Sequence, residues 1–164
     1  MQVVRHADVV KSAFHLLTIK ELISSKKWSI QRSDTINTLF FYAALTPNEI
    51  LFFNDFFMEY YNDYRNKYIV ENNIDTVVFD RAYINCHPAY HPGSWHADNE
   101  SGFTLLYYPV TYFDFKDEGG LEIENEYQPY VPNSLCIFDG NLKHRARMHT
   151  IVGALRFSIA FKYK

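Results

Sequence analysis

Two residues apart in the stretch Ser94-Trp95-His96-Ala97-Asp98 stand an imidazole and a carboxylate. On an extended strand alternate side chains share a face, so His96 and Asp98 would project together, one nitrogen and one oxygen toward the same point. Two ligands hold a metal weakly, and a third must come from elsewhere in the chain. The other histidines are His6, His15, His87, His91, His144 and His149. Of these, His144 follows the turn Phe138-Asp139-Gly140-Asn141 and enters a new strand directly after a reversal, which makes it the expected third ligand. Two imidazoles and a carboxylate on one face of a metal leave the opposite face open, an arrangement suited to Fe(II) and to chemistry with O2.

A second pattern lies near the C-terminus. In Leu155-Arg156-Phe157-Ser158-Ile159-Ala160-Phe161, strand alternation puts Arg156 and Ser158 on one face with Ala160, opposite Phe157, Ile159 and Phe161. An arginine facing an interior costs several kcal/mol unless it is paired. A dicarboxylate ligand would pair it, because the planar guanidinium matches a carboxylate through two parallel bonds and Ser158 adds a further donor.

The elements that must hold these groups are readable from periodicity. Helical spacing runs from Asp8 to Ser24. A stronger helix opens at Thr46-Pro47-Asn48-Glu49, where Thr46 caps, Pro47 fits the first turn and Glu49 completes a capping box. From Glu49 to about Glu71, the aromatics Phe53, Phe56, Phe57, Tyr60, Tyr64 and Tyr68 recur every three or four residues, a core-facing stripe. The runs KKWSIQR and TINTLFFYA read as strands. After Ile74 the pattern becomes short strands between turns: TVVFDRAYINC, GSWHAD, GFTLLYY, GGLEIE, NSLCIF, HRARMH and ALRFSIAFKY. About eight strands result, the count of a jelly roll. The expected class is therefore α+β, mainly β, with N-terminal helices on one face. One domain over 1–164 is expected, mixed and helical over about 1–75 and barrel over about 76–164.

Taken together and in order, His96-x-Asp98, the strand Thr104-Leu105-Leu106-Tyr107-Tyr108-Pro109, Gly119-Gly120-Leu121-Glu122, Phe138-Asp139-Gly140 leading to His144, and Arg156-x-Ser158 resemble the 2-oxoglutarate- and Fe(II)-dependent dioxygenases. The TLLYYP strand and the GGLE turn point to the prolyl-4-hydroxylase-like branch. The resemblance covers roughly residues 76 to 164 and implies a double-stranded β-helix. It implies Fe(II) held by His96, Asp98 and His144, with Mn(II) or Ni(II) as surrogates. It also implies 2-oxoglutarate and O2 as cosubstrates, with ascorbate keeping the iron reduced. Arg156, Ser158 and Tyr108 would receive the distal carboxylate of 2-oxoglutarate, Leu106 would line the same pocket, and Tyr83 would be a second pocket residue. The implied reaction couples decarboxylation of 2-oxoglutarate, to succinate and CO2, with hydroxylation of a C–H bond. A prolyl or other amino-acid residue, in a protein, a peptide or a small amino-acid-like molecule, is the expected acceptor.

Composition sets the exclusions. The formal charge is -3 over 164 residues, without the basic footprint of a nucleic-acid-binding surface, so no nucleic-acid partner is expected. Alkylation-repair demethylases carry R-x-N-x-x-x-R where this chain reads Arg156-x-Ser158-x-x-x-Lys162, which sets that alternative behind; an inert β-barrel binding module is the other. The opening residues are broken by Arg5, His6, Asp8 and Lys11, unlike a secretory or membrane segment, so a cytoplasmic location without a membrane partner is expected. Cys86 and Cys136 have no pairing or zinc spacing and should be reduced. Cys86, His87 and His91 read as parts of a loop flanking the site. Arg145, Arg147 and His149 alternate with His144 and read first as a solvated basic face and second as a surface for an acidic substrate. The run YFDFKDEGG reads equally as a substrate-gating loop at the cavity mouth or as a plain connection.

Overall fold

The computed structural model describes residues 3–32, 38–111, 113–115 and 118–164. Thr35, Ile36 and Asn37 of the second expected strand, and Tyr112, Lys116 and Asp117 of the expected mouth loop, lie outside the described residues. In chain order the elements are β1 (Val4–His6), α1 (Ala13–Ser24), β2 (Ser29–Arg32), β3 (Leu39–Ala44), α2 (Pro47–Asn72), β4 (Phe79–Pro88), β5 (Phe103–Tyr108), β6 (Leu121–Ile123), β7 (Glu126–Gln128), β8 (Ser134–Asp139), β9 (His144–Ala146) and β10 (Leu155–Tyr163). They form a seven-stranded sheet in the order β1-β8-β5-β10-β4-β3-β2 and a three-stranded sheet in the order β7-β6-β9. Every pairing is antiparallel.

The long sheet separates two apolar layers. On one side Phe53 and Phe57 of α2 pack on Tyr107 and Phe161, with Ile84, Leu105, Ile137 and Ile159 also buried there. On the other side Leu106, Phe138 and Ala160 meet Leu121, Ile123 and Leu142 of the short-sheet side. The alternation in β10 decides which residues go where: Phe157, Ile159 and Phe161 turn to the helices, whereas Arg156, Ser158, Ala160 and Lys162 turn to the space between the sheets. The helices therefore cover one face, as the periodicity predicts.

The Thr46 capping box forms: Glu49 Nα–H donates to Thr46 Oγ1, and Thr46 N–H donates to Glu49 Oε2 at 2.7 Å. The helix ends at Asn73 in the left-handed region. Its C-terminal half fixes the end of the barrel that carries the site. Tyr64 Oη donates to Asp139 at 2.8 Å, and Gly102 N–H donates to Tyr68 Oη at 2.7 Å. Gly102 has φ +88, and a Cβ there would meet the Tyr163 carbonyl at 2.0 Å, so only glycine lets this turn close.

Three local expectations are corrected. The first helix starts at Ala13, not Asp8: Asn133 takes both backbone groups of Val10, accepting from its N–H at 2.9 Å and donating to its carbonyl at 3.0 Å, which holds that segment extended. Residues 93–98 form no strand beyond a single bridge of His96 to His144. Residues 144–149 are strand only to Ala146. No helix among the described residues is long and apolar enough to cross a membrane.

Candidate metal centre and anion pocket

His96 and His144 exchange both backbone hydrogen bonds, at 3.0 and 2.9 Å. Two residues on, the amides of Asp98 and Asn99 both donate to the Gly140 carbonyl, at 2.8 and 3.2 Å. One carbonyl gathering two successive amides curls the chain, which is why this segment is not a regular strand. It also carries Asp98 beneath the two imidazoles. His96 Nε2 lies 3.5 Å from Asp98 Oδ1, and His144 Nε2 lies 3.5 Å from Asp98 Oδ2. One ligand atom from each of the three residues falls within 4.8 Å of the others.

The other ring nitrogens are oriented by backbone carbonyls. His96 Nδ1 is 2.9 Å from the Ser94 carbonyl, and His144 Nδ1 is 2.9 Å from the Leu142 carbonyl. A carbonyl only accepts, so each Nδ1 donates its proton there, and each Nε2 is the nitrogen turned toward Asp98, able to offer a lone pair to a metal once it carries no proton. Metal-bound histidines are oriented in this way, with the second nitrogen donating to the backbone. The donor set thus fits a divalent metal.

Charge and burial agree with this. Asp98 is almost wholly buried. Burial alone would raise its pKa, but the His96 contact and the charges of His144 and Lys162 outweigh that and hold it well below the usual carboxylate range. Burial pushes the His144 pKa down to about 4 against the pull of Asp98. His96 is raised, chiefly by its hydrogen bond with Asp98, and its side chain is half exposed on the open side of the trio. Two further donors reach Asp98, one per oxygen: Thr104 Oγ1 bonds Oδ2 at 2.6 Å, and Lys162 Nζ bonds Oδ1.

The trio opens into a cavity of about 510 Å³ whose other end is Arg156. Strand register builds its floor. Across from Arg156, Ser158 and Ala160 of β10 stand His87, Asn85 and Tyr83 of β4, and on the other flank Leu106 and Thr104 of β5 face Ala160 and Lys162. Leu121, His144 and Ala146 close it from the short-sheet side.

Arg156 is 1% exposed. Its Nε–H donates to the Gly119 carbonyl, and Nη2 donates to the Gly120 carbonyl at 3.1 Å and to Tyr108 Oη at 3.2 Å. A long contact of 3.5 Å joins Nη1 to Ser158 Oγ. Four of the five guanidinium N–H groups are therefore engaged, and no carboxylate pairs with Arg156 among the described residues. The expectation of an arginine left bare until a dicarboxylate arrives is corrected: the Gly119-Gly120 turn brings two backbone carbonyls to it. An incoming carboxylate would meet the remaining Nη1–H and the hydroxyl of Ser158, in place of a bare two-pronged fork.

Other expected site residues fall as follows. Leu106 lines the cavity, whereas Tyr108 sits fully buried behind Arg156, its pKa pushed up to about 12 by burial. Tyr83 lines the metal end, its ring 5.3 Å from Lys162 Nζ. Cys86 and His87 belong to β4 instead of a loop, and His87 is a buried cavity residue facing Arg156 across the register. His91 Nδ1 accepts from the Leu39 amide at 3.1 Å, tying its loop to β3. The basic face loses His149, which is 1% exposed, packs on Phe115 and contacts the His87 carbonyl. Arg145 pairs with Glu122 and stacks over Trp95, and Arg147 stacks over Tyr127. Sequence reasoning missed Thr104, Lys162 and Asn85 as cavity residues, and placed His87 only beside the site. Alternation carried past Ala160 finds Lys162, and alternation from Tyr83 finds Asn85 and His87.

No family model matches the chain, and no curated protein matches it. Solved structures do. A 2OG-Fe(II) oxygenase family oxidoreductase from Burkholderia pseudomallei superposes with TM-score 0.72 at 13% identity, covering 99% of this chain and 84% of that one. A prolyl hydroxylase from Trichoplax adhaerens, solved with a hypoxia inducible factor oxygen degradation domain peptide fragment, gives 0.64 at 16% identity over 98% and 82%. HygX from Streptomyces hygroscopicus, solved with nickel, 2-oxoglutarate and hygromycin B, gives 0.71 at 9% identity over 98% and 82%. The chain thus has the mainly β, jelly-roll fold of the 2-oxoglutarate/Fe(II) oxygenases.

Proposed function

We propose that the protein is a non-haem Fe(II)- and 2-oxoglutarate-dependent oxygenase that hydroxylates a C–H bond. The observation that carries this is the convergence of two histidine Nε2 atoms and the Asp98 carboxylate at one end of a cavity whose other end is a buried arginine that no carboxylate pairs among the described residues. His96, Asp98 and His144 would hold the metal. Arg156, backed by Tyr108, and Ser158 would receive the distal carboxylate of 2-oxoglutarate, and Leu106 and Tyr83 would line the space between. When bound, iron and 2-oxoglutarate supply the oxidising chemistry, with succinate and CO2 as coproducts and one oxygen atom passing to the substrate. The chain's part is to fix the ligand atoms and bury the anion end. No side chain is needed as a general acid or base.

The substrate reading is a prolyl or other amino-acid residue. It is supported by the TLLYYP and GGLE segments and by the peptide-bound neighbour among the solved structures. A nucleic-acid demethylase is disfavoured by Ser158 at the asparagine position of that motif and by the net charge of -3. The test is a panel of prolyl peptides and free amino acids incubated with Fe(II), 2-oxoglutarate and ascorbate, read by mass spectrometry. A shift of one oxygen atom that depends on 2-oxoglutarate on a prolyl peptide supports the reading. Oxygen transfer to methylated oligonucleotides alone would replace it.

A further inference from the structure

Lys162 lies on the same face of β10 as Arg156, Ser158 and Ala160, and it is 3% exposed. Its ammonium bonds Asp98 Oδ1 and sits over the face of Tyr83. Thr104 bonds the other oxygen of Asp98 at 2.6 Å. We propose that Lys162 is an internal counter-cation for Asp98, which keeps the ligand trio assembled in the metal-free chain and weakens its hold on a divalent metal. The proposal rests on the reading of His96, Asp98 and His144 as the ligand set.

Each carboxylate oxygen approaches one imidazole and accepts from one protein donor, so the carboxylate is pinned from both sides. The two donors differ in kind. Thr104 orients and carries no charge, whereas Lys162 orients and neutralises. Without a metal, a carboxylate this deeply buried needs a cation, and the ammonium provides it. With a metal, the single negative charge of Asp98 is shared between two cations, and solvent screens little at this depth. The loaded centre is one unit more positive than a trio lacking the lysine, which favours anionic ligands on the metal and disfavours the metal itself. Lys162 acts through Asp98 and is a positioning residue. Replacing it leaves Thr104 to orient the carboxylate and so isolates the charge.

The experiment is calorimetric titration of Mn(II) into the metal-free full chain, with melting curves before and after saturation, for wild type, Lys162→Met and Lys162→Arg. Lys162→Met should bind Mn(II) at least about ten-fold tighter, because the empty site loses its counter-ion and the filled site loses a repulsion. Lys162→Arg keeps the charge and should stay within a few-fold of wild type. The metal-free Met variant should melt below wild type, with the gap narrowing on saturation. A residue that only oriented Asp98 would give the opposite sign, since loss of an outer partner lowers metal affinity. Equal or weaker Mn(II) binding by Lys162→Met overturns the proposal and leaves the oxygenase reading standing. Absence of Mn(II) binding to wild type overturns both. If Lys162→Met does not fold without metal, Lys162→Gln, which keeps a donor but no charge, decides by the same measurement.

Discussion

Replacing Arg156 with alanine should separate the two duties that the cavity assigns to it. The guanidinium holds the Gly119 and Gly120 carbonyls, and so fixes the turn into β6. Two charge-assisted hydrogen bonds at about 1.5–3 kcal/mol each give a loss of at least about 3 kcal/mol. For a chain of this size each kcal/mol moves the melting temperature by roughly 2–4 °C, so Arg156→Ala should melt at least about 6–12 °C lower. Its second duty is to the incoming anion. Truncating one partner of a buried, hydrogen-bonded charge pair costs about 2–5 kcal/mol, a loss of affinity for 2-oxoglutarate of roughly thirty- to several-thousand-fold. Because four of its five N–H groups are committed, the hydroxyl of Ser158 carries a real share, and Ser158→Ala should lose about 1.5–3 kcal/mol of that affinity with little change in melting. Arg156→Lys should recover part of the binding and little of the stability, since an ammonium cannot span two carbonyls and a ligand. The assay is calorimetric titration of 2-oxoglutarate into anaerobic, Mn(II)-loaded protein beside thermal melts. Equal affinity across wild type and the three variants, or an unchanged melt for Arg156→Ala, would refute this reasoning.

Three further outcomes are expected. Asp98→Ala should abolish stoichiometric Mn(II) binding, and Thr104→Val, which strips one donor from Asp98, should weaken it about 10–100-fold by titration; unchanged metal content in Asp98→Ala would remove the ligand assignment. Burial, reinforced by the nearby Arg156 charge, pushes the His87 pKa down to about 3; the unfolded chain then binds the extra proton first, so stability present above pH 6.5 is lost as pH falls toward 3. This amounts to about 2 kcal/mol at pH 5, and urea denaturation of His87→Asn should show correspondingly less loss. Cys86 and Cys136 are buried, with thiol pKa values raised to about 12 by burial, so neither should react with a thiol reagent until the chain is unfolded, and the double serine variant should keep full activity.

The long-range architecture was written in local patterns where those patterns are strong. Alternation in β10 separates an apolar face from Arg156, Ser158 and Lys162, and the capping box at Thr46 starts α2 where it should. The convergence of His96 with Asp98 comes from a different source than strand alternation. It depends on the Gly140 carbonyl gathering two amides from some forty residues earlier, a contact that no local spacing encodes. The same holds for the first helix, shortened by Asn133 across the fold, and for His149, drawn inward by Phe115 and the His87 carbonyl. The acceptors of Arg156 are backbone groups of a glycine turn, and side-chain patterns carry no record of them. Lys162 was legible two residues beyond Ala160, but only the fold shows that its partner is Asp98.

The measurement that tests the central claim most directly is conversion of 2-oxoglutarate to succinate and CO2 by the purified chain with Fe(II) and O2, with Asp98→Ala and Arg156→Ala as controls. Decarboxylation that requires both Fe(II) and O2, is abolished in Asp98→Ala and falls steeply in Arg156→Ala at limiting 2-oxoglutarate is the predicted result. A folded, metal-loaded wild type that forms no succinate, or forms it equally well in Asp98→Ala, would contradict the assignment of this cavity as an oxygenase site.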